Sequence, residues 1–186
     1  MKVLKVITVA GAVCFAFSGI CLAAVLVPEG TVTAINTISS PTPVTNLAFS
    51  SLGNDVTIAT ITIDNNYENA FDLKLDFTND GVFTRVAAAG GDGITVTSGV
   101  GAAIPITEFR LSGSGTLGTG LSAPPATFTL SGSGPATYTW DTGAKQSTAT
   151  VGYQVAVKAD WAADTRLLQG TYRETLTATL TVGDGI

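Results

Sequence analysis

Two carboxylates and an ammonium alternate in one short run, Asp72-Leu73-Lys74-Leu75-Asp76. A spacing of two puts Asp72, Lys74 and Asp76 on one face of an extended chain, and a pair of acids is the equipment of a glycosidase. The same spacing is that of a strand whose polar face meets water. No groove of aromatic residues accompanies it, so the run is assigned to a solvated face and no residue to catalysis. A second concentration of oxygen donors, Asp64-Asn65-Asn66-Tyr67-Glu68-Asn69, has the ligands for calcium in a loop. It does not follow the spacing of an EF-hand, and Asx residues are what hairpin turns use, so no metal is assigned.

Ser-Gly-Ser-Gly follows both Leu111 and Leu130. A phosphate cradle needs such a turn to run into a helix, often with a lysine, and neither copy does; both are read as turns. Trp140 and Trp161 offer flat rings that stack on sugars, although a tryptophan in a strand-rich chain more often packs into the core or an edge. The threonines at alternate positions from Thr175 to Thr181 resemble a hydroxyl ladder, but one twisted strand makes no flat lattice, and the array is read as a β-branched solvent face. Histidine is absent, and Cys14 and Cys21 both precede Ala24. Beyond that point the chain has no His, Cys or Met. This excludes imidazole bases, thiol nucleophiles, disulfides and the usual zinc, copper, haem and iron–sulfur sites, and it implies no cofactor. The chain is expected not to be an enzyme.

The elements that would position these residues begin after a leader. Lys2 and Lys5 open the chain, Val6–Leu22 is apolar and uncharged, and small residues follow at Ala23-Ala24. Residues 1–24 therefore read as a secretory signal. The apolar stretch is short for a membrane anchor and has no cationic flank after it, and Ile20 is too large for lipoprotein processing at Cys21. Without the leader, seven basic residues face fourteen acids, a net charge of −7. No basic stripe exists, which argues against nucleic acid and anionic membranes as partners. Only 12% of all residues are charged, against roughly 25% in ordinary soluble domains.

Strand patterns fill the rest. In Tyr172–Val182 the apolar parity holds Tyr172, Leu176, Ala178, Leu180 and Val182, and the other parity is almost all threonine. Phe71, Leu73, Leu75 and Phe77 alternate with charges ahead of a tight turn at Asn79-Asp80-Gly81, and Val151–Lys158 alternates likewise. The apolar parity of Val56–Ile63 switches between Ile58 and Ile61, predicting a bulge. Phe109–Leu111 is a shorter strand. The repeated patterns beginning at Pro125 and Pro135 predict two short paired strands, and Val86–Pro105 a long loop around a weak strand at Ile94–Thr97. Helical periodicity is absent. The expected fold is one all-β domain, residues 41–186: a single Ig-like antiparallel β-sandwich of about seven to nine strands with an extended N-terminal strand.

That N-terminal segment, residues 25–40, alternates from Val25 to Ile38 and breaks at Ser39-Ser40-Pro41-Thr42-Pro43. It reads either as the first strand of its own sandwich or as an arm that completes a neighbour's sheet. An exported cysteine-free chain, an alternating N-terminal segment and the ending Gly170-Thr-Tyr-Arg-Glu-Thr-Leu-Thr-Ala-Thr-Leu-Thr-Val resemble fimbrial subunits. The layout is similar to chaperone–usher pilins of the cysteine-free colonisation-factor type, and more loosely to spore-coat-U-like domains. The resemblance implies an incomplete Ig-like sandwich that polymerises by accepting the next subunit's first strand. It implies donor-strand contacts at Leu26, Val32, Ala34 and Ile38, and an acceptor groove lined by Tyr172, Leu176, Leu180 and Val182. The implied partners are identical subunits, a periplasmic chaperone and an outer-membrane secretion pore, and the implied location is a cell-surface filament. Those pilins end close to their last strand, whereas Gly183–Ile186 follow here. The alternative is a self-contained secreted sandwich that binds carbohydrate or a surface through Trp140 or Trp161.

Overall fold

The computed structural model describes residues 30–88, 101–132 and 135–182. The leader, Leu26 and the strand expected at Ile94–Thr97 lie outside the described residues. Residues up to Thr33 form one unit and Ala34 onward another, and the fold is that of the second. Among the described residues eleven strands run β1 (Asn36–Ile38), β2 (Thr42–Pro43), β3 (Gly53–Asn65), β4 (Phe71–Phe77), β5 (Val82–Ala88), β6 (Ala103–Pro105), β7 (Glu108–Thr116), β8 (Ala136–Asp141), β9 (Thr150–Trp161), β10 (Gly170–Arg173) and β11 (Leu176–Val182). Every pairing among them is antiparallel. The fold is all-β, and no helix among the described residues is long and apolar enough to cross a membrane.

One sheet has the order β1-β3-β9-β7, with β2 sharing the β3 edge with β1; the others are β11-β4-β8 and β10-β5-β6. Alternation decides what they enclose. Ile61 and Ile63 of β3, Val155 and Val157 of β9, and Phe71, Leu73, Leu75 and Phe77 of β4 are fully buried in one shared core. The bulge predicted in Val56–Ile63 is present: the β3–β9 register shifts between Thr57 and Ala59, and Ile58 and Ile61 both point inward.

Two long ribbons are each broken once. β11 pairs Leu176 with Phe77 and Val182 with Phe71, while β10 pairs Arg173 with Thr84. β4 therefore continues into β5 in one direction, and Asn79-Asp80-Gly81 makes an outward loop rather than a reversal. The turn itself is as expected: Asp80 and Gly81 both have positive φ, 57° and 77°, and the Val82 N–H donates to the Asn79 carbonyl at 2.9 Å. The ending predicted as one strand is likewise split at Glu174-Thr175, opposite that loop.

Other expectations differ. The first Ser-Gly-Ser-Gly copy is not a turn but lies within β7, where a Cβ on Gly113 would fall 1.7 Å from the Tyr153 hydroxyl. Glycine is needed there so that a tyrosine of the neighbouring strand can cross over the sheet. The paired strands expected at Pro125 and Pro135 shrink to β8 and one bridge, Ser131 with Thr137. Prolines 124 and 125 supply no N–H to a ladder, and Phe128 instead bridges β7 at Phe109. Much of Val86–Pro105 was expected to be loop, yet β5 extends through Ala88 and β6 ends at Pro105.

Candidate functional site

The two long sides of the molecule are unlike. On one, the segment Phe128–Ser131 ties the layers together. The Phe128 N–H donates to the Phe109 carbonyl of β7 at 3.0 Å, and Ser131 exchanges hydrogen bonds with Thr137 of β8. The Phe128 ring stacks on Phe109 and Tyr138 at 5.4 and 4.3 Å. The other side is open. There β1 and β2 end one sheet while β10 and β11 end the others, and among the described residues no strand pairs with the outer edge of β10 or β11.

These edges approach each other where β1 nears β11. Between β2 and β10 lies a groove of about 660 Å³, with Pro41–Phe49 on one wall, Gly170–Leu176 on the other and Ile58, Ala59, Phe77 and Phe83 beneath. Phe49 anchors it, with ring centroids 4.9 Å from Phe83, 5.0 Å from Trp161 and 6.2 Å from Tyr172. The Tyr172 hydroxyl is held at the carbonyls of Gly101 and Leu168, so its ring is fixed as a wall. Glu174 sits at the strand break. Its Oε1 accepts the N–H groups of Asn79, at 3.0 Å, and Thr175, at 2.7 Å, which staples the outward loop to the groove wall. Burial raises the Glu174 pKa above the ordinary glutamate range, and the backbone donors oppose that shift.

Of the residues expected to line an acceptor, Tyr172 and Leu176 do line this groove, whereas Leu180 and Val182 lie further along β11 outside it. Of those expected on the donor, Ile38 pairs with Ile63 of its own chain and packs on its own core. Val32 is 88% exposed and Ala34 is exposed. The chain arrives along β3 from its Asn66 end, with the Asn36 carbonyl oxygen Oδ1 accepting the Asn65 side-chain N–H at 2.9 Å, and meets the groove only at Pro41. The wall from Pro41 to Phe49 was not anticipated as part of a site. Its apolar residues sit at irregular spacing, which leaves no periodic signal.

The remaining candidates resolve into structure. Asp72, Lys74 and Asp76 lie between threonines of β11 on one side and Asp141, Thr139 and Thr137 of β8 on the other, forming rows Thr181–Asp72–Asp141, Thr179–Lys74–Thr139 and Thr177–Asp76–Thr137 on one outer face. Lys74 pairs with Asp76 at 2.9 Å. Partial burial and the neighbouring Asp141 carboxylate raise the Asp72 pKa. The oxygens of the Asn- and Asp-rich loop serve as hydrogen-bond acceptors within the fold: Asp64 accepts the Gly152 N–H, Asn66 the Ile35 N–H, and Asn65 the Tyr67 N–H and the Gln146 amide. Beside it a depression of about 490 Å³ is bordered by Tyr67, Glu68 and Lys145. Among the described residues no group of three or more acidic, His or Cys side chains is placed to hold a metal. Trp140 and Trp161 are each 2% exposed, so neither ring is available as a sugar platform where it stands. Comparison with known proteins found no matching family model, no matching curated protein and no matching solved structure.

Proposed function

We propose that the chain is a secreted structural subunit of an extracellular filament, an Ig-like sandwich that polymerises by seating the N-terminal segment of one molecule in the groove of the next. The observation that carries this reading is the groove between β2 and β10, walled by two sheet edges and floored by Phe77, Phe83 and Ile58. An unpaired edge offers a row of backbone donors and acceptors at strand spacing, and an apolar floor takes alternate side chains, which together are the requirements of an added strand. Each Leu or Val seated there contributes about 1.5–3 kcal/mol before ordering costs.

The occupant proposed is residues 25–33. Ile38 is already committed to its own sheet through Ile63, so the segment beyond Ala34 acts as an anchor and the residues before it as the arm. Ile35 and Asn36 lie against Asn66 and Asn65, at the end of β3 away from the Ile58 and Ala59 of the groove, which favours delivery of the preceding residues to a second molecule over folding back. Head-to-tail contacts of this kind propagate when the rotation between copies does not close. A periplasmic chaperone and a secretion pore are the partners such an exported subunit would need to keep its open edge covered.

The test uses the chain beginning at Val25 and the same chain shortened by residues 25–33. Negative-stain images of the first should show filaments, and the second should remain monomeric while binding a peptide of sequence 25–33. Dispersed monomers of the longer chain, together with no peptide binding by the shorter one, would overturn the reading.

A further inference from the structure

Positive charge on the described surface is almost entirely paired. Lys74, Arg110, Lys145, Lys158 and Arg166 each form an ion pair, and Arg85 is buried against the Gln169 carbonyl. Arg173 has no ion pair among the described residues, although acids outnumber bases in this protein. It stands on the groove wall, in β10, with its side chain on the exposed parity of a strand whose Tyr172 and Glu174 turn inward. Glu29 is the one charged residue between Lys5 and Asp55. In the arm it belongs to the parity of Val25, Val27, Thr31 and Thr33, opposite to Leu26 and Val32.

We infer that Glu29 of one copy pairs with Arg173 of the next and sets the register of the seated arm. This rests on the strand-donation reading above. When the Leu26 and Val32 parity faces the apolar floor, Glu29 falls on the outer face of the added strand, the same face that carries Arg173 on the strand beside it. Opposite charges directly across an edge attract, and a slip of one residue would bury Glu29 and expose the apolar set. A lone charge in an otherwise neutral arm therefore discriminates registers that apolar contacts alone would leave nearly equal.

Because the chain after Ala24 contains no cysteine, the contact can be trapped. Copies carrying Glu29→Cys are mixed under mild oxidation with copies carrying Arg173→Cys, or with copies carrying Thr177→Cys or Thr181→Cys further along the same exposed parity. A disulfide-linked pair should form several-fold faster with position 173 than with either control, since bridging needs Cβ atoms about 4 Å apart. Capture at position 177 or 181 in place of 173 would overturn the register and leave strand donation standing. Capture nowhere on this edge would overturn both. In a companion measurement without cysteines, Arg173→Glu should slow filament growth on the order of tenfold at low salt, and adding Glu29→Arg in the same chain should restore it. Unchanged growth of Arg173→Glu would overturn the pairing.

Discussion

Burial works against the charge of Glu174. Its pKa in the folded chain stands above that of the unfolded chain, so the folded state holds the proton more tightly. Stability from this group is therefore fullest below the ordinary glutamate range and declines as pH rises through the raised value. Glu174→Gln keeps an oxygen for the Asn79 and Thr175 N–H groups and removes the charge. Thermal melts should show its Tm at pH 7 equal to or above that of the wild type, with a smaller drop between pH 4 and pH 7. At Gly53 the issue is space: a Cβ there would meet the Trp161 ring at 2.2 Å. Gly53→Val should cost about 1–3 kcal/mol in urea unfolding as the indole is driven from its place. Gln146 is 5% exposed and joins Asn65, Tyr67 and Thr150. Gln146→Ala removes the amide that donates to Asn65 and Tyr67 and leaves the buried Thr150 hydroxyl proton without its acceptor, and should cost about 1–3 kcal/mol by the same measurement.

At the level of strands, the alternating patterns placed β4, β9 and β11, and the parity switch in β3 revealed its bulge, because burial on one face writes period two into the residues themselves. The outward loop at Thr78–Gly81 was legible as a turn but not as an interruption. Nothing local to Asn79-Asp80-Gly81 says whether the chain reverses or resumes; that is decided by Thr84 and Phe77 sharing one partner ribbon far along the sequence. The groove was half legible for the same reason. Tyr172 and Leu176 stand in a regular pattern, whereas Pro43, Leu47 and Phe49 acquire their place from tertiary packing alone. Gly81 makes the loop testable. Its φ of 77° suits glycine, and a Cβ would lie 2.8 Å from Leu130 and Phe109. Gly81→Ala should destabilise by about 1–3 kcal/mol, with the midpoint of urea unfolding shifted and its slope retained.

For the molecule as a whole, the excess of acids predicts that bulk charge does not draw subunits together. Like-charged copies repel, so filament growth should accelerate on going from low to moderate salt even as the Glu29–Arg173 attraction is screened, and light scattering across a salt series would give a maximum rather than a monotonic decline. For dispersed monomers, below the concentration at which filaments form, removing residues 25–33 should change the urea-unfolding free energy by no more than about 0.5 kcal/mol, since no core residue precedes Ile38 among those described.

The stitched flank at Phe128–Ser131 has a consequence in the language of polymer chemistry. Under the strand donation proposed above, with that flank sealed, each monomer carries one reactive socket and one plug, a functionality of two. Such monomers give unbranched threads, and a free plug added in small excess acts as a chain stopper, so mean thread length would report the ratio of stopper to monomer.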